Sequence, residues 1–177
     1  MKFEITHSEN IFQGRVINLY RESIRYPDGR VSKIEFLSHG GSVAILPVDK
    51  DGNIWFVRQY RHPAGDLLLE LPAGTLEENE SPEVCAAREI QEEIGMAAAH
   101  LKKIGEFFLA PGYSSEYMFI FLATDLREDP LEQDAAEYII VEKYSVEEAY
   151  EMVVRGEIKD AKTLGALTLA RPLIFRD

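Results

Sequence analysis

The sequence is poor in cysteine, in long apolar runs and in positive charge. Its single cysteine, Cys85, rules out a disulfide within the chain and favours a reducing compartment such as the cytoplasm. No apolar run approaches the ~20 residues that a membrane-spanning helix needs, and the first residues lack the apolar segment of a signal peptide. We therefore expect a cytoplasmic protein without a membrane partner.

Positive charge is the scarcer sign. The 19 Lys and Arg residues face 31 Asp and Glu residues, which gives a formal net charge of -12 at pH 7. Because a nucleic-acid backbone requires a basic surface, this balance argues against a nucleic-acid partner. It leaves room for a small phosphorylated substrate, since clustered carboxylates can hold divalent cations that contact phosphates.

The remaining composition, 177 residues of which 46% are hydrophobic, suits one domain with a sizeable core. An N-terminal β-hairpin is predicted, with strands in residues 15–26 and 31–37 around the turn Pro27-Asp28-Gly29-Arg30. The patterns further predict strands at 42–48, 53–60, 67–71, 103–109, 116–123 and 138–144, and helices at 82–94, 145–156 and 161–170. Strands with interspersed helices indicate an α+β fold or a layered α/β/α sandwich.

The helix at 82–94 carries an unusual acidic face. Ser81 is a good N-cap, Pro82 suits the first helical position, and Gly95 is a natural stop. On a helical wheel Glu89, Glu92 and Glu93 fall together, away from the apolar residues, and three like charges so placed repel one another. A divalent metal such as Mg²⁺ or Mn²⁺ would compensate them, although an acidic helix face can also be plain solvated surface.

The residues around this helix decide between the two interpretations. Their spacing matches the Nudix box, the motif of the Nudix hydrolases, at Gly74, Glu80, Arg88, Glu89, Glu92, Glu93 and Gly95. The chain therefore resembles that family over most of its length from about Ser42 onward. The resemblance implies an α/β/α sandwich with a mixed β-sheet, which agrees with the predicted strands and helices.

The resemblance also implies roles for individual residues. Glu89, Glu92 and Glu93 resemble the metal-binding carboxylates, with Glu92 also close to the catalytic chemistry, and the carbonyl oxygen of Ala73 resembles a further metal ligand. Arg88 resembles the arginine that orients a catalytic glutamate through an ion pair. The implied cofactor is Mg²⁺ or Mn²⁺, at roughly two or three ions per site.

Short motifs outside the box resemble the ADP-ribose pyrophosphatases of the family. Pro111 follows Gly95 at the spacing of a marker proline, and Glu116 resembles a glutamate of the substrate loop. Arg61, in the segment Arg58 to Pro63, resembles an arginine near the substrate phosphates. Each of these features also has an ordinary explanation, as a turn or as a solvated charge.

The general base is expected in the acidic segment Leu126 to Glu137, because similar enzymes carry it on a loop past the box. We favour Glu137, at the start of the next strand, and place Glu132 second. A merely solvated acidic loop is the alternative.

Residues 1–40 precede the Nudix-like domain, 41–177, and form the expected N-terminal β extension. In similar enzymes such a region exchanges strands across a homodimer and helps to hold the nucleobase, so a homodimer is expected, and exposed strand edges favour such pairing. Four residues of this extension are candidate base or phosphate contacts: Tyr20, Arg21, Arg25 and Tyr26.

The expected activity is metal-dependent hydrolysis of the pyrophosphate bond in a nucleoside-diphosphate sugar, with ADP-ribose giving AMP and ribose 5-phosphate. Three alternatives stay open: another nucleotide sugar such as GDP-mannose, an oxidised nucleoside triphosphate, which the proline spacing disfavours, and a non-catalytic nucleotide-binding module. The module is disfavoured because the box keeps all its carboxylates.

Overall fold

The computed structural model describes residues 2–15, 17–133 and 138–175. The chain divides into two compact units, one made of residues 1–40 and 108–117 and the other of residues 41–107 and 118–177. Three α-helices and a short 3₁₀ helix (His62–Ala64) accompany strands arranged in three sheets within the described residues, so the predicted α+β class is confirmed. The Glu137 candidate lies outside the described residues.

The first unit contains an antiparallel sheet of three strands, β1 (Glu4–Gln13), β2 (Asn18–Arg25) and β3 (Val31–Ser38), in that order. β2 and β3 form the predicted hairpin, whose turn needs Gly29 at a φ of 87°. The sequence pattern did not predict β1. Its pairing with β2 shifts register twice, and such bulges destroy the strict alternation on which strand prediction relies.

The second unit is built on two sheets. Their strands are β4 (Gly41–Pro47), β5 (Asn53–Arg61), β6 (Asp66–Glu70), β7 (Ala73–Thr75), β8 (Met96–Phe108), β9 (Tyr117–Glu128) and β10 (Ile139–Ser145). One sheet has the order β10-β5-β6 and the other β7-β4-β9-β8. β7 was not predicted, because three residues are too few to show a period. β9 reaches Glu128 and so takes in the start of the segment predicted as a loop.

The helices are α1 (Pro82–Ile94), α2 (Val146–Val154) and α3 (Ala161–Ile174). Each begins after an N-cap residue whose side chain accepts a hydrogen bond from a backbone N–H of the first turn; these N-cap residues are Ser81, Ser145 and Asp160 respectively. α3 continues past its predicted end to Ile174 with Pro172 inside its last turn, where the missing N–H removes one hydrogen bond of the helix. None of the helices in the described ranges is long and apolar enough to cross a membrane.

One hydrophobic core holds α1 against the sheet that contains β4. Its members include Val43, Ile45, Ile90, Ile94 and Phe121, all at most 6% exposed. Fully burying one such side chain stabilises the fold by about 1.5–3 kcal/mol. This packing fixes the acidic helix beside β7, which α1 also contacts.

Candidate active site

The acidic face of α1 is not a solvated surface. Glu89 and Glu93 are only 9% and 4% exposed, and they share the buried side of the helix with Ile90 and Ile94. One Oε of Glu93 accepts a hydrogen bond from the backbone N–H of Ala73 at 3.0 Å. The helical wheel placed the glutamates away from the apolar side, whereas the structure buries two of them because β7 packs along α1.

Gly74 leaves the space that the Glu89 carboxylate uses. A Cβ built on Gly74 would lie 1.8 Å from Glu89 Oε1 and 1.9 Å from its carboxyl carbon. No side chain, not even that of alanine, fits there while Glu89 keeps its position. The glycine of the box therefore serves a close approach between the β7 backbone and a carboxylate.

Arg88 is the centre of the charge network. Its Nη1 donates to Glu89 Oε1 at 2.7 Å and to Glu92 Oε2 at 2.9 Å. Its Nε and Nη2 each donate to one oxygen of Glu80 at 3.0 Å. These hydrogen bonds, those to Glu80 foremost, raise the pKa of Arg88. One cation thus offsets the repulsion among three carboxylates.

Glu80 is held ionised by the same network. The hydrogen bond from Arg88 lowers the pKa of Glu80 to about 2, with a smaller contribution from the backbone N–H of Glu77, which donates at 3.0 Å. Burial, followed by the charge of Glu80, raises the pKa of Cys85 to about 12, so this side chain remains a thiol packed beside Arg88.

The donor set suits a divalent cation. Within the described ranges no three Asp, Glu, His or Cys side chains already form a closed metal-binding group. The Arg88 guanidinium lies between the carboxylates of Glu80, Glu89 and Glu92. Glu89, Glu92 and Glu93 nevertheless offer the hard oxygen atoms that Mg²⁺ and Mn²⁺ prefer, beside a backbone made accessible by Gly74. These glutamates and the Ala73 carbonyl are the residues that would hold a cation.

The segment that carries the predicted general base is attached to α1. The side-chain amide of Gln91 donates to Asp129 O at 3.0 Å, and the backbone N–H of Leu131 donates to Gln91 O at 3.2 Å. The N–H of Asp129 also donates to Gly95 O at 3.0 Å. Glu132, the second candidate base, is exposed in this attached segment.

Arg61, the predicted phosphate contact, ends β5 and forms a two-bond ion pair with Glu70. Its Nε and Nη2 donate to the two Glu70 oxygens at 2.9 and 2.7 Å. These hydrogen bonds, more than any other cause, raise the pKa of Arg61, and the charge of Glu93 contributes as well. The negative charge of Glu93 on α1 therefore acts on the Arg61 guanidinium.

Sequence reasoning missed Glu70 and its second partner, Lys162. Both side chains are almost completely buried, and Lys162 Nζ donates to Glu70 Oε2 and lies 3.1 Å from Asp160 Oδ2. Burial opposes ionisation, yet Arg61 and Lys162 together lower the pKa of Glu70. The sequence did contain one signal for a buried and paired glutamate. Glu70 is the single charged residue in the apolar run Leu67-Leu68-Leu69-Glu70-Leu71.

The candidate substrate contacts of β2 belong to the first unit, where they make local contacts. Tyr20 stacks on Phe36 with ring centroids 5.8 Å apart. Arg21 pairs with Glu35 at 2.7 Å and Arg25 with Glu4 at 3.1 Å, and all four of these charged side chains are exposed. Their part in substrate binding stays a prediction.

Pro111 and Glu116 lie in the segment of the first unit that follows β8. Leu109 N–H donates to Glu116 O at 3.1 Å and closes a turn around exposed Pro111. The segment is attached to the end of β3, where Leu37 N–H donates to Tyr113 O at 2.8 Å. The loop is therefore well ordered by hydrogen bonds, and the roles of both residues stay predictions.

Comparison with known proteins shows which family this chain is similar to. The NUDIX domain profile matches residues 38–165. The chain is 42% identical over 161 residues to the ADP-ribose pyrophosphatase of Bacillus subtilis (strain 168), covering 90% of this chain and 87% of that protein. It is 40% identical over 159 residues to the ADP-ribose pyrophosphatase of Mycobacterium tuberculosis, covering 88% and 77%. The crystal structure of an ADP compounds hydrolase shares the fold, with a TM-score of 0.88 and 24% identity, covering 98% of this chain and 95% of that one.

Proposed function

Because this chain belongs to the Nudix family, we propose that it hydrolyses the pyrophosphate bond of a nucleoside-diphosphate sugar, with ADP-ribose as the main substrate. The products are AMP and ribose 5-phosphate. The observation that carries the proposal is the buried carboxylate face of α1, organised by Arg88 and opened by Gly74. A solvated helix surface needs neither the burial nor the glycine.

Nudix hydrolases depend on divalent metals, and we propose Mg²⁺ or Mn²⁺ for this chain, at roughly two or three ions per site. Bound cations would offset the charge of the diphosphate and lower the pKa of water. Glu89, Glu92, Glu93 and the Ala73 carbonyl would supply the ligands. Arg88 orients the first two glutamates through the hydrogen bonds described above.

Protein side chains bind the substrate phosphate and accept the proton of the attacking water. Arg61 contributes a positive charge for a phosphate oxygen, and its anchoring by Glu70 keeps the guanidinium in one orientation. Water attacks one phosphorus, the bridging P–O bond breaks, and the other phosphate leaves as the second product. Glu137, or Glu132 as second candidate, takes the proton from the attacking water.

A panel of nucleotide sugars with Mg²⁺ tests the substrate. We expect AMP release from ADP-ribose to exceed GMP release from GDP-mannose by far, with products separated by chromatography. Preferential GMP release would favour the alternative of a GDP-mannose hydrolase. An intact diphosphate in every reaction would support a non-catalytic binding module and contradict the proposal.

We further propose that the N-terminal extension, residues 1–40, pairs with a second copy of the chain and that the protein is a homodimer. β1 is an edge strand, exposed along its whole length, and Ile5, Ile11 and Phe12 on it are exposed apolar residues. Unpaired strand edges that carry apolar side chains favour pairing with another chain. A monomer in light scattering at micromolar concentration would contradict the proposal. The cytoplasmic location stays a prediction from the composition.

A further inference from the structure

A buried group of four charges joins α3 to the ends of β5 and β6. It consists of Arg61, Glu70, Asp160 and Lys162, with side chains that are 40%, 1%, 16% and 8% exposed. Arg61 is thus the only member with substantial contact to solvent. Buried lysines are rare because removing the ammonium group from water is costly, so the presence of Lys162 calls for a physical reason.

The need to neutralise the charge of Glu70 does not by itself explain why Lys162 is buried. Arg61 already satisfies both Glu70 oxygens with two parallel hydrogen bonds. Asp160 has its own partners too, because its Oδ2 accepts from the N–H of Thr163 at 3.0 Å and from the Thr163 hydroxyl at 2.6 Å. As the N-cap of α3, its charge is also favoured by the helix dipole. Lys162 therefore adds a second cation to a carboxylate that has one.

A second cation changes how much of the Arg61 charge is available. The group holds two cations and two carboxylates, so its four charges balance. Without Lys162, Arg61 alone would face Glu70 and Asp160, and the net negative charge of the group would repel a phosphate. Lys162 therefore leaves Arg61 with more attraction for an anion. The third guanidinium nitrogen, Nη1, is used by neither hydrogen bond to Glu70.

The same group is connected to the backbone of the candidate metal centre. Leu71, the residue after Glu70, donates its N–H to the Thr163 hydroxyl of α3 at 2.9 Å. Two residues later, Ala73 donates its N–H to Glu93 of α1 at 3.0 Å. The chain between Glu70 and Ala73 is therefore held at one end by α3 and at the other by the acidic helix.

We propose that Lys162 is a positioning residue for substrate binding: by sharing Glu70 with Arg61, it keeps the Arg61 guanidinium oriented and leaves its positive charge available to the diphosphate. This inference rests on the proposed function, since it takes the diphosphate as the anion that Arg61 meets. Lys162 itself is buried and acts only through Arg61.

A double-mutant cycle tests the inference. The variants are Lys162→Met, Arg61→Gln and the combination, and the probe is ADP-ribose. Its dissociation constant is measured by calorimetry in the presence of a chelator, and KM and kcat are measured with Mg²⁺. We expect Lys162→Met to weaken binding and raise KM by about tenfold, which corresponds to about 1.4 kcal/mol, with a smaller change in kcat. In the Arg61→Gln background it should have no further effect.

The controls separate this role from a general loss of structure. Lys159→Met removes an exposed lysine three positions away and should behave as wild type. Urea unfolding checks that each variant is folded, and Lys162→Gln, whose amide can still donate to Glu70, provides the same measurement if the methionine variant does not fold. A purely structural lysine would weaken binding equally with and without Arg61.

Two results would overturn the inference: wild-type affinity in Lys162→Met, or an equal loss of affinity in the Arg61→Gln background. Both are read against wild-type protein in the same assay. Wild-type protein that neither binds nor hydrolyses ADP-ribose would contradict the proposed function, which is a separate outcome.

Discussion

Ion pairs occur in both units of the chain, in very different surroundings. In the N-terminal sheet, Arg21–Glu35 and Arg25–Glu4 cross neighbouring strands with every side chain at least 41% exposed. Around α1, Arg88 contacts Glu80 and Glu89, whose side chains taken alone are 9% and 11% exposed. Exposed pairs contribute about 0–1 kcal/mol, whereas breaking a buried pair leaves an uncompensated charge and costs several times more. Ion pairs of similar length therefore differ in the free energy that is lost when they are broken. The buried pairs around α1 hold the candidate site together, whereas the exposed pairs of the N-terminal sheet contribute little.

The largest effect should come from removing charge on the buried face. We expect Glu93→Gln and Glu89→Gln each to lower turnover by roughly 10³-fold or more, because electrostatic support for the developing charge is lost. The matched control is Glu83→Gln, an exposed glutamate in the first turn of the same helix, which should keep wild-type turnover. Steady-state kinetics with Mg²⁺ measure the turnover of each variant. Wild-type turnover in both Glu93→Gln and Glu89→Gln would contradict the assignment of these residues as metal ligands.

Gly74→Ala tests whether the space beside Glu89 matters. The added Cβ would lie 1.8 Å from Glu89 Oε1, so the carboxylate must move away. Because a flexible side-chain end moves at modest cost, we expect a stability loss of about 1–3 kcal/mol, with turnover reduced about 100-fold. Urea unfolding and kinetics measured on the same sample separate the two quantities. Unchanged turnover would mean that the Glu89 position is not important for catalysis.

The pH dependence of stability probes Glu80. Its pKa is about 2 in the folded protein against an ordinary 4.5, so folding favours the ionised form. The stabilisation is present above about pH 4.5 and is lost as the pH falls toward 2. Glu80→Gln should lower the free energy of unfolding by about 1–3 kcal/mol near pH 7, and the difference from wild type should shrink below pH 4.5.

Urea unfolding over a pH series gives this difference directly. Glu78→Gln, an exposed residue of the same loop, is the control and should follow the wild-type curve. A constant difference between wild type and Glu80→Gln down to pH 2 would show that the charge of Glu80 is not the source of its stabilisation.

The smallest effect belongs to the exposed pairs. Arg25→Gln and Arg21→Gln should change the free energy of unfolding by less than about 1 kcal/mol, because solvent screens both charges. Thermal or urea unfolding of the dimer or monomer, at fixed protein concentration, measures the change. A loss above about 2 kcal/mol would break the comparison and would indicate that these arginines are buried in an assembly.

The sequence alone determined the parts of this protein that depend on local order. The bounds of α1 follow from Ser81, Pro82 and Gly95, because caps and stops act within one turn of a helix. The hairpin of β2 and β3 follows from its turn residues for the same reason. The Nudix motif spans a loop and a helix that are continuous in the chain, so its spacing could be read directly.

The tertiary structure alone decided what depends on residues far apart in the chain. The burial of Glu89 and Glu93 comes from β7, a strand too short to have a pattern, and β1 was hidden by its bulges. Lys162 and Glu70 are 92 residues apart, and no local rule brings an α3 lysine to a buried glutamate of β6. A side chain's charge is written in the sequence, but its surroundings, and therefore its energy, arise only when distant segments pack together.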